Sequence, residues 1–416
     1  MERPFIYRDN LLHAEEVALD GIARRAGTPC FVYSANAILS RYRAYDRSFG
    51  DVPHKVCYAV KANGNLAILS LLARAGAGFD IVSGGELFRV LKAGGSAEDV
   101  VFSGVGKTAE EVEYALEQGI YTFNCESETE LSLIDALAAR LGRKARISLR
   151  VNPDVDAATH PKISTGLREH KFGIDIHEAE EIYQRARWHS HLELDGVSCH
   201  IGSQLLKPEP LLDALERVLT LVDRLRAKGI AIQHLDLGGG LGVPYRPTDD
   251  PPSIQDYVAR LKSRTAGRNL KIMVEPGRSL VAEGGVLLSR VLYRKVNAGK
   301  EFIILDAAMN DLIRPSLYEA HHEILPVKRD PARGTVKADI VGPVCETGDY
   351  LARDREIGNV LPGDLVAIAT TGADGFVMSS NYNARPRASE IMVAGNGWRV
   401  VRQRETLDDL VRGEMT

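Results

Sequence analysis

Val56-Cys57-Tyr58-Ala59-Val60-Lys61-Ala62-Asn63-Gly64-Asn65 decides the fold: an apolar, β-prone run stops at a lysine and passes into a turn rich in asparagine and glycine. The pattern reads as a strand followed by its loop, with Lys61 at the strand's mouth. Taken alone, Lys61 reads first as an exposed lysine at a strand end, the usual situation for that residue. Beside an apolar barrel interior, desolvation would instead favour a neutral amine able to form a Schiff base with an aldehyde. The surrounding pattern has to decide.

Working outward, Lys55–Val60 is the first of a series continued by Gly78–Val82, Val100–Ser103, Tyr121–Asn124, Arg146–Val151, Gly196–Cys199, His234–Leu237 and Lys271–Val274. Between them lie stretches with apolar residues at helical spacing, such as Ala67–Ala75, Gly85–Ala93, Ala109–Gln118, Glu126–Arg140 and Pro210–Ala227. Alternating β/α units of this number predict an α/β fold, a (β/α)8 TIM barrel. Such barrels carry their active sites on the loops after the strands. The unusual polar and glycine motifs fall there: Lys61 after the first run, Ser83-Gly84-Gly85-Glu86 after the second and Asn152-Pro153 after the fifth. His200-Ile201-Gly202-Ser203-Gln204 follows the sixth, Gly238-Gly239-Gly240 the seventh and Glu275-Pro276-Gly277-Arg278 the eighth.

Beyond Arg278 the pattern shortens to alternating runs, Ser289–Val296, Glu301–Leu305, Lys337–Val341, Leu365–Ala369 and Arg399–Arg402, set off by Gly, Pro and Asn. This predicts a C-terminal antiparallel β domain. The expected division is a barrel over 35–282 and a β domain built from 1–34 and 283–416, with Cys30-Phe31-Val32-Tyr33 crossing over to join the latter.

The chain has 416 residues, 44% hydrophobic and 26% charged, ordinary globular values that fit two domains. A net charge of -4 and no Lys/Arg-rich block exclude a nucleic-acid partner. The N-terminal Met1–Asp9 lacks an apolar leader and no later stretch approaches a membrane span, so a cytoplasmic protein without a membrane partner is expected. Five cysteines without CxxC pairing argue against a disulfide framework and a structural zinc site. The adjacent His321 and His322 lack spaced partners, so no metal is expected. Gly238–Gly240 lack G-x-G-x-x-G spacing and follow six earlier β/α units, which rules out a dinucleotide loop; glycines do let backbone N–H groups approach a phosphate closely.

Together these motifs resemble the fold-type III pyridoxal-phosphate decarboxylases, with an alanine racemase-like barrel, and within them the bacterial diaminopimelate-type enzymes. The likeness spans the chain and rests on Tyr58–Asn63, His200–Gln204, Gly238–Gly240, Glu275–Arg278, Arg314-Pro315-Ser316-Leu317-Tyr318, Cys345-Glu346-Thr347-Gly348-Asp349 and Asn381-Tyr382-Asn383, in that order. It implies pyridoxal phosphate as cofactor, removal of CO2 from meso-2,6-diaminopimelate to leave L-lysine, and a homodimer with composite sites.

By resemblance, Lys61 carries the Schiff base, Glu275 faces the pyridine nitrogen and His200 stacks on the ring. Asp80, Ser203, Gly239, Gly240, Gly277, Arg278 and Tyr382 are implied as further cofactor neighbours. The distal carboxylate and ammonium of the substrate ask for guanidinium forks and an acid. Arg278 and Arg314, with Tyr318 and Tyr382, are the implied partners of the first, and Glu346 of the second. Cys345 is implied as a proton donor near Cα from the partner subunit. Asp374 departs from the family pattern, where an aromatic residue is more frequent. Alternatives stay open: an alanine racemase-like enzyme, a decarboxylase of a carrier-bound amino acid, carboxynorspermidine, ornithine or arginine, and a pyridoxal-phosphate binder without turnover.

Overall fold

The computed structural model describes residues 4–155 and 171–416, so the Met1–Arg3 end of the N-terminal segment lies outside it. The chain forms two compact units, one of Leu39–Val243 with Asp250–Ser279, the other of Met1–Ile38, Pro244–Asp249 and Leu280–Thr416.

In the first unit the strands His54–Ala59, Gly78–Ile81, Val100–Phe102, Thr122–Cys125, Ala145–Asn152, Leu192–Ser198, His234–Asp236 and Lys271–Val274 pair in parallel, each with its sequence neighbour. Lys271–Val274 returns to His54–Ala59, and Thr122–Cys125 pairs with Ala145–Asn152 through Phe123↔Ile147 and Asn124↔Ser148, so the ring is closed. The TIM barrel expected from the β/α alternation is therefore borne out. Short caps make the strand-to-helix turns. Asn65 accepts the Ala67 amide at 2.9 Å to start Leu66–Arg74, and Ser83, Thr108 and Ser127 cap Gly84–Lys92, Ala109–Gln118 and Glu128–Leu141.

The sixth strand begins earlier than expected, at Leu192, because its polar residues serve the far end of the barrel. Glu193 and Asp195 there pair with Arg146 at 3.8 Å. At that end Ser148 Oγ lies 2.7 Å from His234 Nε2, fully enclosed, and Gly196 leaves room for both: a Cβ on it would meet them at 2.2 and 2.0 Å.

In the second unit Gly285–Asn297 is the central strand, antiparallel to Cys30–Ser34, Lys300–Leu305 and Leu365–Ile368. Cys30–Ser34 pairs on both edges within this sheet. The sheet is mainly antiparallel, with two parallel pairings, Lys300–Leu305 to Thr335–Val341 and Ser389–Ala394 to Cys30–Ser34. Leu12, Leu19, Ile22, Val32, Val286, Leu288 and Ile391 form its core. Tyr350–Gly358 also pairs into this sheet, although the run Arg353-Asp354-Arg355-Glu356 hides it from a hydrophobic pattern. Among the described residues no helix is long and apolar enough to cross a membrane.

Candidate active site

A cavity of about 380 Å³ opens where the barrel strands end, lined by Lys61, Asp80, Ser103, Asn124, Arg150, Ser198, Cys199, His200 and Glu275 among others. It gathers residues from seven strands or the loops that follow them. That volume suits a small cofactor or ligand.

Lys61 sits in the turn Val60–Ala62, directly after the first strand. The turn is braced from below. The Tyr58 hydroxyl donates to the Asn63 carbonyl at 2.9 Å, Asn63 Oδ1 accepts the Asn65 amide at 3.0 Å, and Asn65 caps the next helix. Lys61 itself is exposed, so the desolvation expected from its strand-end place is absent here: the apolar run is buried but the lysine stands beyond it. Its charge acts on acids and a histidine of the cavity, Asp80, Glu275 and His200.

Three carboxyl groups, Asp80, Asp236 and Glu275, are buried together at the cavity floor. Asn124 Nδ2 donates to Glu275 Oε1 at 3.3 Å, to Asp236 Oδ2 at 3.1 Å and to Ser103 Oγ at 3.1 Å. The Glu275 amide donates to the Gly238 carbonyl at 2.8 Å, fixing the acid to the neighbouring strand end. Burial, then the charges of Asp236 and Asp80, push the Glu275 carboxyl well above the usual range, against the pull of Lys61. Asp80 is pushed up to about 6, by burial first, with Lys61 opposing.

His200 Nδ1 accepts the Gly239 amide at 3.1 Å, which requires an unprotonated nitrogen. Lost hydration, then Lys61 and Arg150, hold this imidazole well below its ordinary value, so it is neutral. The glycine turn is tighter than an open phosphate cradle would demand. A Cβ on Gly238, at φ +63, would meet the Cys199 carbonyl at 2.7 Å, and one on Gly239 would meet the Glu275 carbonyl at 2.4 Å. Asp236 takes the Gly238 amide and His200 takes that of Gly239, so close packing as well as ligand approach explains the glycines. A Cβ on Gly277 would meet Ala62 at 3.0 Å, and Arg278 Nε donates to Ser203 Oγ at 3.2 Å. The structure therefore brings Lys61, Asp80, His200, Ser203, Gly239, Gly240, Glu275, Gly277 and Arg278 into one unit, with Lys61, Asp80, His200 and Glu275 lining the cavity itself.

Ser83 and Glu86, prominent in the sequence, secure the second strand end: Ser83 caps its helix and Glu86 Oε2 accepts the Val82 amide at 2.7 Å. Arg150, Ser103, Asn124 and Asp236 were not singled out from sequence. Arg150, Asn124 and Asp236 sit within buried strands and Ser103 directly after one, and a polar residue between apolar ones, as in Phe123-Asn124-Cys125, is the signal that could have found the strand residues. Arg150 Nη1 donates to Glu126 Oε1 at 2.8 Å and its guanidinium lies 4.9 Å from the Phe172 ring.

The β unit holds Arg314, Tyr318, Cys345, Glu346 and Tyr382. Cys345 and Glu346 are exposed; the Tyr382 hydroxyl donates to Glu346 Oε2 at 2.7 Å, and the Cys345 amide donates to Asn383 Oδ1 at 2.9 Å. Asp349 braces the loop from inside, accepting the amides of Met309 and Val344 at 2.7 Å each. Arg314 is buried, stacked 4.6 Å from the Tyr245 ring, with Nη1 on His322 Nε2 at 2.9 Å. His322 is packed, its Nδ1 donating to the Ala369 carbonyl at 2.8 Å. Asp374 has φ 54, a left-handed conformation that Asp adopts more readily than an aromatic residue.

The cavity fits pyridoxal phosphate. Asp80 Oδ1, Asn124 Oδ1 and Ser198 Oγ are buried there without a partner among the described residues, which suits a ring bearing polar substituents, and a lysine stands at the rim for its aldehyde. A parallel barrel with such a mouth, joined to a β unit carrying polar loop residues, defines the class of pyridoxal-phosphate enzymes that work on amino acids. Residues 35–282 match the family described as pyridoxal-dependent decarboxylase, pyridoxal binding domain, and the chain belongs to it. It is 58% identical to diaminopimelate decarboxylase of Pseudomonas aeruginosa, over 99% of this chain and 98% of the relative. It is 52% identical to that of Vibrio cholerae, over 97% and 96%. Among solved structures, diaminopimelate decarboxylase from Helicobacter pylori complexed with L-lysine superimposes with TM-score 0.91 at 44% identity, covering 95% of this chain and 98% of the other. Diaminopimelate decarboxylase from M. jannaschii in co-complex with L-lysine superimposes with TM-score 0.94 at 36% identity, covering 99% of this chain and 98% of the other.

Asp80 allows a test by pH. Its folded value of about 6 exceeds the ordinary 3.8, so the unfolded chain releases this proton more easily, and the group's cost to folding grows as the pH rises from 3.8 and is fully present above about 6. Asp80→Asn, which mimics the protonated form, is expected to raise the denaturant midpoint of the cofactor-free protein at alkaline pH. The gain should shrink toward zero as the pH falls below 6 toward 3.8. A gain independent of pH would contradict the assignment.

Proposed function

We propose that this chain removes CO2 from meso-2,6-diaminopimelate and releases L-lysine, with pyridoxal phosphate bound at the barrel mouth. The observation that carries this reading is the 58% identity, over 99% of the chain, to a diaminopimelate decarboxylase. The lysine-bound relatives support a site that fits the product.

Bound pyridoxal phosphate supplies an electron-accepting ring that takes up the charge left at Cα when the carboxylate departs. The chain's own groups prepare that event. Lys61, exposed just beyond the first strand, would hold the cofactor by its amine. Glu275, fixed by its amide on Gly238 and by Asn124, keeps a proton against the pyridine nitrogen. Neutral His200 covers the ring without adding a competing positive charge. Gly240, Ser203, Gly277, Arg278 and Tyr382 would hold the phosphate, Gly239 would support them by way of His200, and Asp80, which lines the cavity, would lie beside the ring.

The β unit supplies recognition. Arg278 and Arg314 take the distal carboxylate, Tyr318 and Tyr382 add hydroxyls, and Glu346 takes the distal ammonium. Cys345 donates the proton that replaces CO2. Cys345 and Glu346 act on the partner subunit's site, so the working form is a homodimer, with the barrel and β unit divided near residues 35–282 and 1–34 with 283–416.

The direct test is release of CO2 and lysine from meso-diaminopimelate by the purified protein with added pyridoxal phosphate, beside ornithine, arginine and carboxynorspermidine. Lysine formation with negligible turnover of the others is expected; preferential turnover of any other substrate contradicts the reading. For the composite site, Lys61→Ala and Cys345→Ala are each expected to be nearly inactive. Subunits of the two, refolded together in equal amounts, should regain about a quarter of wild-type activity, because half the dimers then carry one intact site of two. No recovery in a mixture shown to contain mixed dimers would refute sharing across subunits.

A further inference from the structure

Asp236 ends the strand His234–Asp236 and is buried. Neither the sequence motifs nor the proposed reaction gives it a part. Its two carboxylate oxygens nevertheless engage two different elements, the glycine turn and the fourth strand. Oδ1 accepts the Gly238 amide at 2.9 Å, where the glycine turn begins. Oδ2 accepts Asn124 Nδ2 at 3.1 Å, and the same nitrogen donates to Glu275 Oε1 at 3.3 Å. The backbone closes the circuit, with the Glu275 amide on the Gly238 carbonyl at 2.8 Å. A carboxylate enclosed beside two more acids is costly. The hydrogen bonds it makes here must offset that cost, and each of them fixes a group of the site.

We propose that Asp236 is a positioning residue that locks the glycine turn Gly238–Gly240 to Glu275, so that the phosphate end and the ring-nitrogen end of one cofactor are set at a fixed separation by a single side chain. This rests on the reading of the cavity as a pyridoxal-phosphate site. The lock has a second effect, because Asp236 also places a negative charge against Glu275. The groups facing Glu275 are Asp236 and Asp80, which push it up, and Lys61, which opposes them; the buried thiols of Cys57 and Cys199 feel its charge, and His200 and Arg150 line the same cavity.

The experiment is equilibrium binding of pyridoxal 5′-phosphate to the full-length protein freed of cofactor. Wild type is compared with Asp236→Asn, Glu275→Gln and the double variant, over neutral and acid pH. An asparagine turns a donor toward Asn124 Nδ2 and breaks the bridge while keeping the volume. Each single variant is expected to bind about tenfold or more weakly, and the double no more weakly than the worse single, since both cut one circuit. In Asp236→Asn the acid-side weakening of binding is expected to begin at lower pH, because the neighbouring charge that raises Glu275 is gone. Losses that multiply, with an unmoved acid side, would show a role in folding alone and overturn the proposal. Asn124→Ser cuts the bridge from its middle and leaves Gly238 on Asp236. It should weaken binding about tenfold, and full-strength binding there would also overturn the lock. Absence of pyridoxal-phosphate binding by wild type would instead refute the cavity reading itself.

Discussion

Closure of the parallel ladder between Thr122–Cys125 and Ala145–Asn152 is the constraint on which the rest depends. Parallel strands all release their following residues at the same end, and closure bends that end into a ring. Residues far apart in sequence, Lys61, Asp80, Asn124, His200 and Glu275, are thereby forced onto one small mouth. An open sheet of the same strands would spread them along an edge. The helix caps that follow strands one to four, at Asn65, Ser83, Thr108 and Ser127, keep each return short and the ring regular.

That convergence concentrates like charge. Asp80, Asp236 and Glu275 share an enclosed floor, and Asp80 and Glu275 are pushed above their ordinary range, burial first. In an uncommitted core this would be simple destabilisation. Here Lys61 opposes it, Arg150 lines the same cavity, and an acid-rich floor is suited to a protonated ring nitrogen. The same physics holds His200 neutral: burial first, then the charges of Lys61 and Arg150, lower its value, and its Nδ1 accepts the Gly239 amide. The site is thus built against the stability of the protein.

Much of this was legible in the sequence. The barrel was readable because buried parallel strands and amphipathic helices alternate with little interruption, and the loop motifs stand out against them. What escaped notice did so for physical reasons. Asn124 and Asp236 are read as strand residues, and only closure shows that they point into a shared floor. Tyr350–Gly358 hides behind its charges, and Pro244–Asp249 joins the β unit without any change in periodicity to announce it. The glycines at 238 and 239 were readable as necessary, but the carbonyls of Cys199 and Glu275 that require them were not. Lys61 was found at its strand end, while its exposure depends on how far the apolar run stays covered.

Under the proposed function, Lys61 is the residue at this mouth that holds the cofactor. The most direct measurement is to reduce the protein with borohydride in the presence of pyridoxal phosphate, digest it and locate the label by mass spectrometry. The account predicts one pyridoxyl group per chain, on the peptide containing Lys61, and none in Lys61→Ala. A label confined to another lysine, or undiminished in that variant, would contradict it.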